Sequence, residues 1–259
     1  MDAVRLVWVE DALAVVDKPA GLSLATRRRE PGAAVGRLLA AADSGEVAAW
    51  GLDPARLHLV HRLDVGTSGL VLLARDEPTH RALAAALAER RVAKTYLALV
   101  WGRPRPAEGR WDVPLGPDRR DRRRMAADPG GRRAVTAWRV LAHPPHASLL
   151  ALHPETGRTH QIRVHCAHAG HPIVGDDLYG GARERGVREP ALRAALTAGR
   201  PLLHAWCLEL PEVPDVAVRR LTAPLPADFR GVLNALGVPE PEPSWGGPTG
   251  TPWRASTRR

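Results

Sequence analysis

The sequence has few cysteines and almost no lysine or phenylalanine. Cys166 and Cys207 are its only cysteines, which excludes a disulfide framework and favours a reducing compartment. No run reaches the roughly 18 apolar residues of a membrane span, and the N-terminus lacks the basic and apolar segments of a signal peptide. We therefore expect a cytoplasmic globular protein that makes no membrane contact.

The charge of the chain is strongly positive. Its 37 basic residues outnumber 28 acidic ones, and only two of the basic residues, Lys18 and Lys94, are lysines. A positive excess favours polyanionic partners, and arginine offers planar paired donors that suit phosphates and bases. A GC-rich genome would also encode arginine in place of lysine, but it would not explain the sign of the charge. A polyanion that carries phosphates is therefore the expected class of partner.

Apolar periodicity and turn residues divide the chain into interleaved strands and helices. The connections are too short and irregular for repeated parallel units, so we expect an α+β fold with a large, mainly antiparallel sheet. Residues 116–133 are predicted to form a solvated loop or hairpin tip. Residues 237–259 are expected to form a disordered tail. The predicted strands are 5–9, 12–17, 57–60, 69–74, 93–101, 134–142, 147–153, 203–210 and 217–222, and the predicted helices are 33–43, 76–91, 159–169 and 226–236.

A charged corner separates two predicted strands in the stretch "HLVHRLDVGTSGLVLLAR". Arg62 and Asp64 lie directly before a Gly/Thr/Ser turn, which presents the carboxylate at a defined place. A neighbouring arginine holds such a carboxylate in its ionised form. An ionised, partly desolvated carboxylate can act as a nucleophile at a sugar carbon. A structural ion pair in an ordinary turn is the alternative that these residues alone leave open.

Histidines are concentrated in "HPETGRTHQIRVHCAHAGHPIVGDDLYG", residues 153–180. His165 and His168 are three residues apart on a predicted helix, which suggests a zinc site. However, Cys166 would point about 100° away from His165, and the segment has no CxxC or HExxH spacing. We therefore expect no metal here. Arg163 in the same segment is either a helix-surface charge or the partner of a buried acid.

Tyr96 and the arginine-rich loop are two further candidates. Tyr96 lies in the strongly predicted strand 93–101, where it is either a core residue or a ring that stacks on a base. The loop is either solvated or in contact with a nucleic-acid backbone, which it would recognise by shape and charge. The candidate backbone contacts are Arg119, Arg120, Arg122, Arg123, Arg124, Arg132 and Arg133.

Four motifs, in this order along the chain, together resemble the RluA-type family of RNA pseudouridine synthases. They are "HRLDVGTSGLVLLAR", "RRVAKTYLALVWG", "PETGRTHQIRVHCAHAGHPIVGDDLYG" and "LLHAWCLELP…LTAPLPADF". The resemblance runs from about residue 5 to residue 236. It implies isomerisation of uridine to pseudouridine in ribosomal RNA or tRNA, without cofactor or metal. It also implies the pseudouridine synthase fold, a long mixed sheet with flanking helices and a central active-site cleft.

The resemblance also implies roles for individual residues. Asp64 corresponds to the essential catalytic carboxylate, and Tyr96 to the ring that lies against the target base. Arg163 is expected to pair with Asp64. Arg62 is expected to fill the space that the extruded uridine leaves.

Residues 1–236 are accordingly expected to form one catalytic domain, without a separate S4-type RNA-binding domain, in a monomeric protein. The opening "VDKPAGLSL", residues 16–24, also looks like the start of that family. "SLATRRRE", residues 23–30, departs from the family pattern because it lacks the proline and histidine often seen after KPAG. A noncatalytic RNA-binding protein on the same scaffold and a zinc hydrolase are the two rival interpretations.

Overall fold

The computed structural model describes residues 3–25, 33–42 and 50–242. The chain divides into two compact units, Met1–Lys94 with Ala205–Pro224, and Thr95–His204 with Leu225–Arg259. No helix in the described ranges is both long and apolar enough to cross a membrane.

In the first unit the strands lie in the order β1-β2-β4-β11, and the pairs β1-β2, β2-β4, β3-β4 and β11-β12 are antiparallel. Every residue of β2 and β4 is buried, which explains the apolar run in each strand, and in β2 the burial extends to Asp17 and Lys18. Leu83 and Ala86 of helix α2 pack into the same core. The elements are β1 (Arg5–Val9), β2 (Leu13–Lys18), α1 (Ala33–Ala40), β3 (His58–Leu59), β4 (Ser68–Ala74), α2 (Glu77–Ala88), β11 (Leu203–Leu210) and β12 (Arg219–Thr222).

The second unit contains an antiparallel sheet in the order β5-β10-β9-β6 and a separate β7-β8 hairpin. Ile162 and Cys166 of helix α3 pack on the sheet beside Leu150 and Leu152 of β10. The elements are β5 (Ala93–Trp101), β6 (Glu108–Asp112), β7 (Leu115–Pro117), β8 (Met125–Ala127), β9 (Val135–Ala142), β10 (Ala147–Pro154), α3 (Gln161–His168), α4 (Pro190–Leu196) and α5 (Ala227–Ala235).

The predicted α+β class with mainly antiparallel pairing is confirmed. Two helix ends differ from the prediction for backbone reasons. Helix α2 ends before Arg90, which has a left-handed φ of 61°. Helix α3 begins at Gln161 and is not opened by Thr159, because His160 between them has a φ of 54°.

The sequence did not predict strand β6 or helix α4. In β6, Gly109 lies under the ring of Trp138, which a Cβ at that position would approach to 2.9 Å. Trp111 stacks on the same ring, with ring centres 5.1 Å apart. The strand therefore depends on a tryptophan pair from two strands and not on its own propensity.

The C-terminal part of the predicted tail lies outside the described residues. Residues 237–242 are described, and Val238 is buried and donates its amide to the carbonyl of Leu233. Residues 243–259, over which disorder was predicted, are not described.

Candidate active site

The charged corner of the first unit lies between β3 and β4 and is held mainly through its backbone. The Asp64 carbonyl accepts the Thr67 amide at 3.0 Å, which closes a turn around the half-buried Asp64 side chain. Leu63 and Thr67 are buried on either side, whereas Arg62 is exposed. The turn therefore fixes the Cα of Asp64 while leaving part of its side chain accessible.

The side chain of Lys18 stabilises this corner through hydrogen bonds to backbone carbonyls. Its side chain is fully buried, and its ammonium donates to the carbonyls of Pro19 at 2.8 Å and Leu22 at 3.1 Å. It also reaches the carbonyl of Val65 at 3.5 Å, and the Gly21 amide donates to that same carbonyl at 2.7 Å. The "DKPAG" turn is thus tied to the residue that directly follows Asp64.

His61 supports the corner as a neutral ring. Its Nε2 accepts the Leu72 amide at 3.2 Å, so it takes the place of a strand carbonyl. Burial, and secondarily the charge of Lys94, lower the pKa of His61 to about 3. The ring stays uncharged at neutral pH and therefore acts as a structural acceptor.

Gly69 permits the close approach of strand β11 to the end of this corner. Its φ is 113°, and a Cβ there would lie 2.2 Å from the carbonyl oxygen of Ala205. No other residue fits this position without moving the strand.

The second unit holds Arg163 on α3 in an ion pair with a buried acid, Asp176, which the sequence did not identify. Its Nε and one terminal nitrogen each donate to an oxygen of Asp176 at 2.7 Å. Arg163 is 8% exposed and Asp176 2% exposed. This paired, planar geometry is the strongest that a guanidinium forms with a carboxylate. The predicted pairing of Arg163 with Asp64 stays a prediction.

Tyr96 lies on β5, opposite Leu152 of β10. Its ring is partly buried and packs against the apolar cluster that contains Ala98, Val100 and Ile162. Side chains alternate along β5, so Tyr96 shares a face with Ala98 and Val100 while Leu97 is fully buried on the other face.

The histidines of residues 153–180 serve separate hydrogen bonds. His165 bonds Thr136 Oγ1 at 2.9 Å and the Val113 carbonyl at 3.1 Å, and His171 bonds the Trp101 carbonyl at 2.9 Å. Within the described part of the chain, no three His, Cys, Asp or Glu side chains gather as a metal site would require. The zinc interpretation therefore finds no ligand set in this region.

The arginine-rich loop is a short hairpin whose arginines fall into two classes. Some are engaged within the second unit: Arg123 pairs with Asp121 at 2.8 Å and Arg133 pairs with Asp112 at 2.9 Å. Arg124 lies 3.7 Å from Asp118. The tip carries three exposed arginines that form no ion pair with a described residue, Arg119, Arg120 and Arg122, and Arg132 further along the chain is likewise exposed without one.

Both the sequence and the fold resemble those of known proteins. Residues 12–168 match the family described as RNA pseudouridylate synthase. A protein of Chloroflexus aurantiacus named as an uncharacterized RNA pseudouridine synthase is 47% identical over 178 residues, which cover 69% of this chain and 53% of that protein. The chain thus spans about half the length of that relative.

Two further matches cover most of the chain. Ribosomal large subunit pseudouridine synthase D of Xanthomonas campestris is 36% identical over 234 residues, or 90% of this chain and 69% of that protein. The solved structure of human RNA pseudouridylate synthase domain containing 4 superposes with a TM-score of 0.70 at 26% identity, covering 92% and 95% of the two chains. The predicted fold family is therefore confirmed.

Proposed function

The chain belongs to the RNA pseudouridylate synthase family, and from this we propose that it isomerises uridine to pseudouridine in RNA. The observation that carries the proposal is the family match over residues 12–168, which contains Asp64, Tyr96 and Arg163. The local geometry of each unit agrees with it. The acid is fixed at a turn yet partly accessible, and the guanidinium is buried in a fixed orientation.

The proposed reaction moves a glycosidic bond within one nucleotide. The N1–C1′ bond breaks, a C1′–C5 bond forms, and the proton on C5 is lost while N1 gains one. Asp64 acts at the ribose, either by attacking C1′ or by removing the proton on C2′. The detached uracil must turn before it rejoins, so the site must exclude water while it is free.

A uridine within folded RNA hides the atoms that react, so the enzyme must extrude it. Extrusion costs a few kcal/mol in lost stacking. We propose that Tyr96 offsets part of this cost by lying against the base, and that exposed Arg62 occupies the space left in the RNA. Arg163 is proposed to pair with Asp64 and keep it ionised.

The arginine-rich hairpin is proposed to contact the RNA backbone. Support comes from its tip, where Arg119, Arg120 and Arg122 are exposed and form no ion pair with a described residue. Arg123, Arg124 and Arg133 are engaged by neighbouring acids, so they would have to exchange partners to reach a phosphate. The backbone N–H and C=O of Arg132 bond Leu115, and its exposed side chain could join the contact.

Ribosomal RNA of the large subunit is the proposed substrate. The support is that relatives from Xanthomonas campestris and Haemophilus ducreyi carry that substrate in their names, at 36% and 38% identity. Transfer RNA is the second candidate that the motifs left open. A cytoplasmic, monomeric enzyme that needs no cofactor remains part of the proposal.

The test uses RNA labelled with tritium at C5 of uridine, because the proposed reaction releases that hydrogen to water. Purified protein should release tritium from large-subunit ribosomal RNA transcripts, and sequencing should then map the pseudouridine. Release from tRNA alone would reassign the substrate. If neither RNA nor total cellular RNA yields tritium or pseudouridine, the proposed activity is wrong.

A further inference from the structure

We propose that Asp176 and Tyr179 are positioning residues that fix the orientation of Arg163, and that Tyr179 ties this arginine to the base of the arginine-rich hairpin. The inference rests on the proposed function, in which Arg163 serves the catalytic acid. It concerns the "GDDLYG" segment, to which neither the sequence motifs nor the catalytic proposal assigned a role.

Asp176 is held in place by hydrogen bonds other than those it forms with Arg163. One of its oxygens accepts the backbone amides of Leu178 and Tyr179, each at 3.2 Å, in addition to a guanidinium nitrogen. Its own carbonyl accepts the Gly180 amide at 2.6 Å. A Cβ on Gly180 would lie 2.8 Å from that carbonyl oxygen, so glycine is required there. The tight turn therefore presets the carboxylate for the arginine.

Tyr179 covers the other side of the guanidinium. The Cζ of Arg163 lies 5.0 Å from the centre of the tyrosine ring, within the range of a cation–π contact. The Cζ of Arg124, from the hairpin, lies 5.1 Å from the same centre. One ring thus contacts both the buried arginine and a hairpin arginine.

The hydroxyl of Tyr179 fastens the ring at two further points. It accepts the amide of Met125, the first residue of β8, at 2.8 Å. It also lies 2.8 Å from Nδ1 of His160, the residue with left-handed backbone that precedes α3. Burial raises the pKa of Tyr179, so the phenol keeps its proton and can donate a hydrogen bond to Nδ1 of His160.

These contacts predict that the orientation of Arg163 can be disturbed without weakening RNA binding. Asp176 bonds Arg163, and the Tyr179 hydroxyl bonds Met125 at the base of the hairpin and not its exposed tip, so their loss should leave RNA affinity unchanged. A guanidinium that loses Asp176, or that packs on a ring no longer held by its hydroxyl, should spend less time in the productive orientation. Misalignment lowers the rate of the bound complex, and a displacement of about 1 Å can cost about 10²-fold.

The experiment compares Asp176→Asn and Tyr179→Phe with wild type in single-turnover and steady-state tritium release. We expect Asp176→Asn to lower kcat by about 10²-fold and Tyr179→Phe by about tenfold, each with KM for RNA within about twofold. Asp177→Asn is the matched control, because this neighbouring acid is exposed and should leave both constants unchanged. Tyr179→Phe keeps the ring and hence serves if Asp176→Asn does not fold.

A second measurement does not need activity. Hydrogen exchange of the Arg163 Nε–H, followed by NMR, should be slow in wild type and in Asp177→Asn, and faster in Tyr179→Phe and Asp176→Asn. Unchanged exchange and unchanged kcat in Tyr179→Phe would overturn the inference, as would a raised KM with normal kcat. Wild-type protein that is inactive on every RNA would instead refute the proposed function, while the exchange rates still decide the positioning role.

Discussion

Asp64 and Arg163, the two groups of opposite charge at the centre of the proposal, are held by different means. Asp64 is fixed through its backbone, by the turn to Thr67 and by the anchoring of Val65. Arg163 is fixed through its side chain, by Asp176 and Tyr179. A backbone restraint survives substitution of the side chain it presents, whereas a side-chain restraint is lost with either partner. The fold should therefore tolerate replacement of the Asp64 side chain, whereas replacement of Asp176 or Tyr179 should loosen Arg163.

The largest effect is expected from Asp64→Asn. The turn bonds involve the backbone of residue 64, so the variant should fold and bind RNA while losing the ionised carboxylate. We expect pseudouridine formation to fall by about 10²- to 10⁴-fold or more. Tritium release with equal protein and RNA concentrations measures this, and circular dichroism checks the fold. Near-normal activity in this variant would exclude the assigned catalytic acid.

Lys18→Met tests the backbone restraint itself. The methionine fills similar space but removes the charged donor from three carbonyls at the corner. Because hydrogen bonds to charged groups contribute about 1.5–3 kcal/mol, the free energy of unfolding should fall by at least about 2 kcal/mol. Urea unfolding measures the change. A variant as stable as wild type would mean that the Gly21 amide alone secures Val65.

His61 predicts a pH dependence of stability in the same corner. Its pKa in the folded protein is about 3, below the ordinary value of 6.5, so only the unfolded chain gains a proton in mildly acidic solution. The contribution of His61 to the free energy of unfolding is fully present above pH 6.5. It falls by about 1.4 kcal/mol for each pH unit as the pH decreases toward 3.

His61→Gln should remove the His61 contribution to the slope of unfolding free energy against pH. The test range is pH 6.5 to pH 5, where carboxylates remain ionised. His165, whose pKa burial also lowers, would supply the slope that remains. Urea unfolding at several pH values measures it. An equal slope in the variant and in wild type would show that His61 becomes protonated in the folded state.

The hairpin tip should give the smallest effect on the rate and a clear effect on salt dependence. Replacing Arg119, Arg120 and Arg122 with alanine should raise KM without changing kcat. It should also reduce the logarithmic salt slope of binding by about 0.7 for each phosphate that the variant no longer neutralises. Removing the exposed Arg183, Arg185 and Arg188 together takes away the same charge elsewhere and serves as the control. Equal slopes in the two triple variants would show a general charge effect.

The sequence predicted the strands well where burial alone determines them. Strand β5 matches its predicted bounds, and β4 differs by one residue, because continuous or alternating apolar residues record burial directly. The missed β6 depends on Trp111 and Trp138 meeting across two strands, which a single stretch of sequence does not record. Likewise, the early end of α2 depends on the backbone of Arg90.

The same limit applied to the candidate site. Asp64, Tyr96 and Arg163 could be named because each stands in a motif, but their roles come from resemblance. The Arg163–Asp176 pair joins residues 13 apart through a helix and a turn, and "GDDLYG" offers two adjacent acids. Only the fold separates buried Asp176 from exposed Asp177. The turn to Gly180 was the available signal, since an acid, a tyrosine and a glycine at this spacing suggest a closed turn.

Both cysteines of the chain are buried: Cys166 is fully buried and Cys207 is 2% exposed. Burial raises the pKa of each thiol. Thiolate-directed reagents should therefore leave the native protein unlabelled. A single cysteine introduced at residue 120, on the exposed hairpin tip, would then be the one reactive position among the described residues. A fluorophore can thus be attached at residue 120 without removing a native cysteine. Its signal would then follow the approach of the hairpin to RNA in real time.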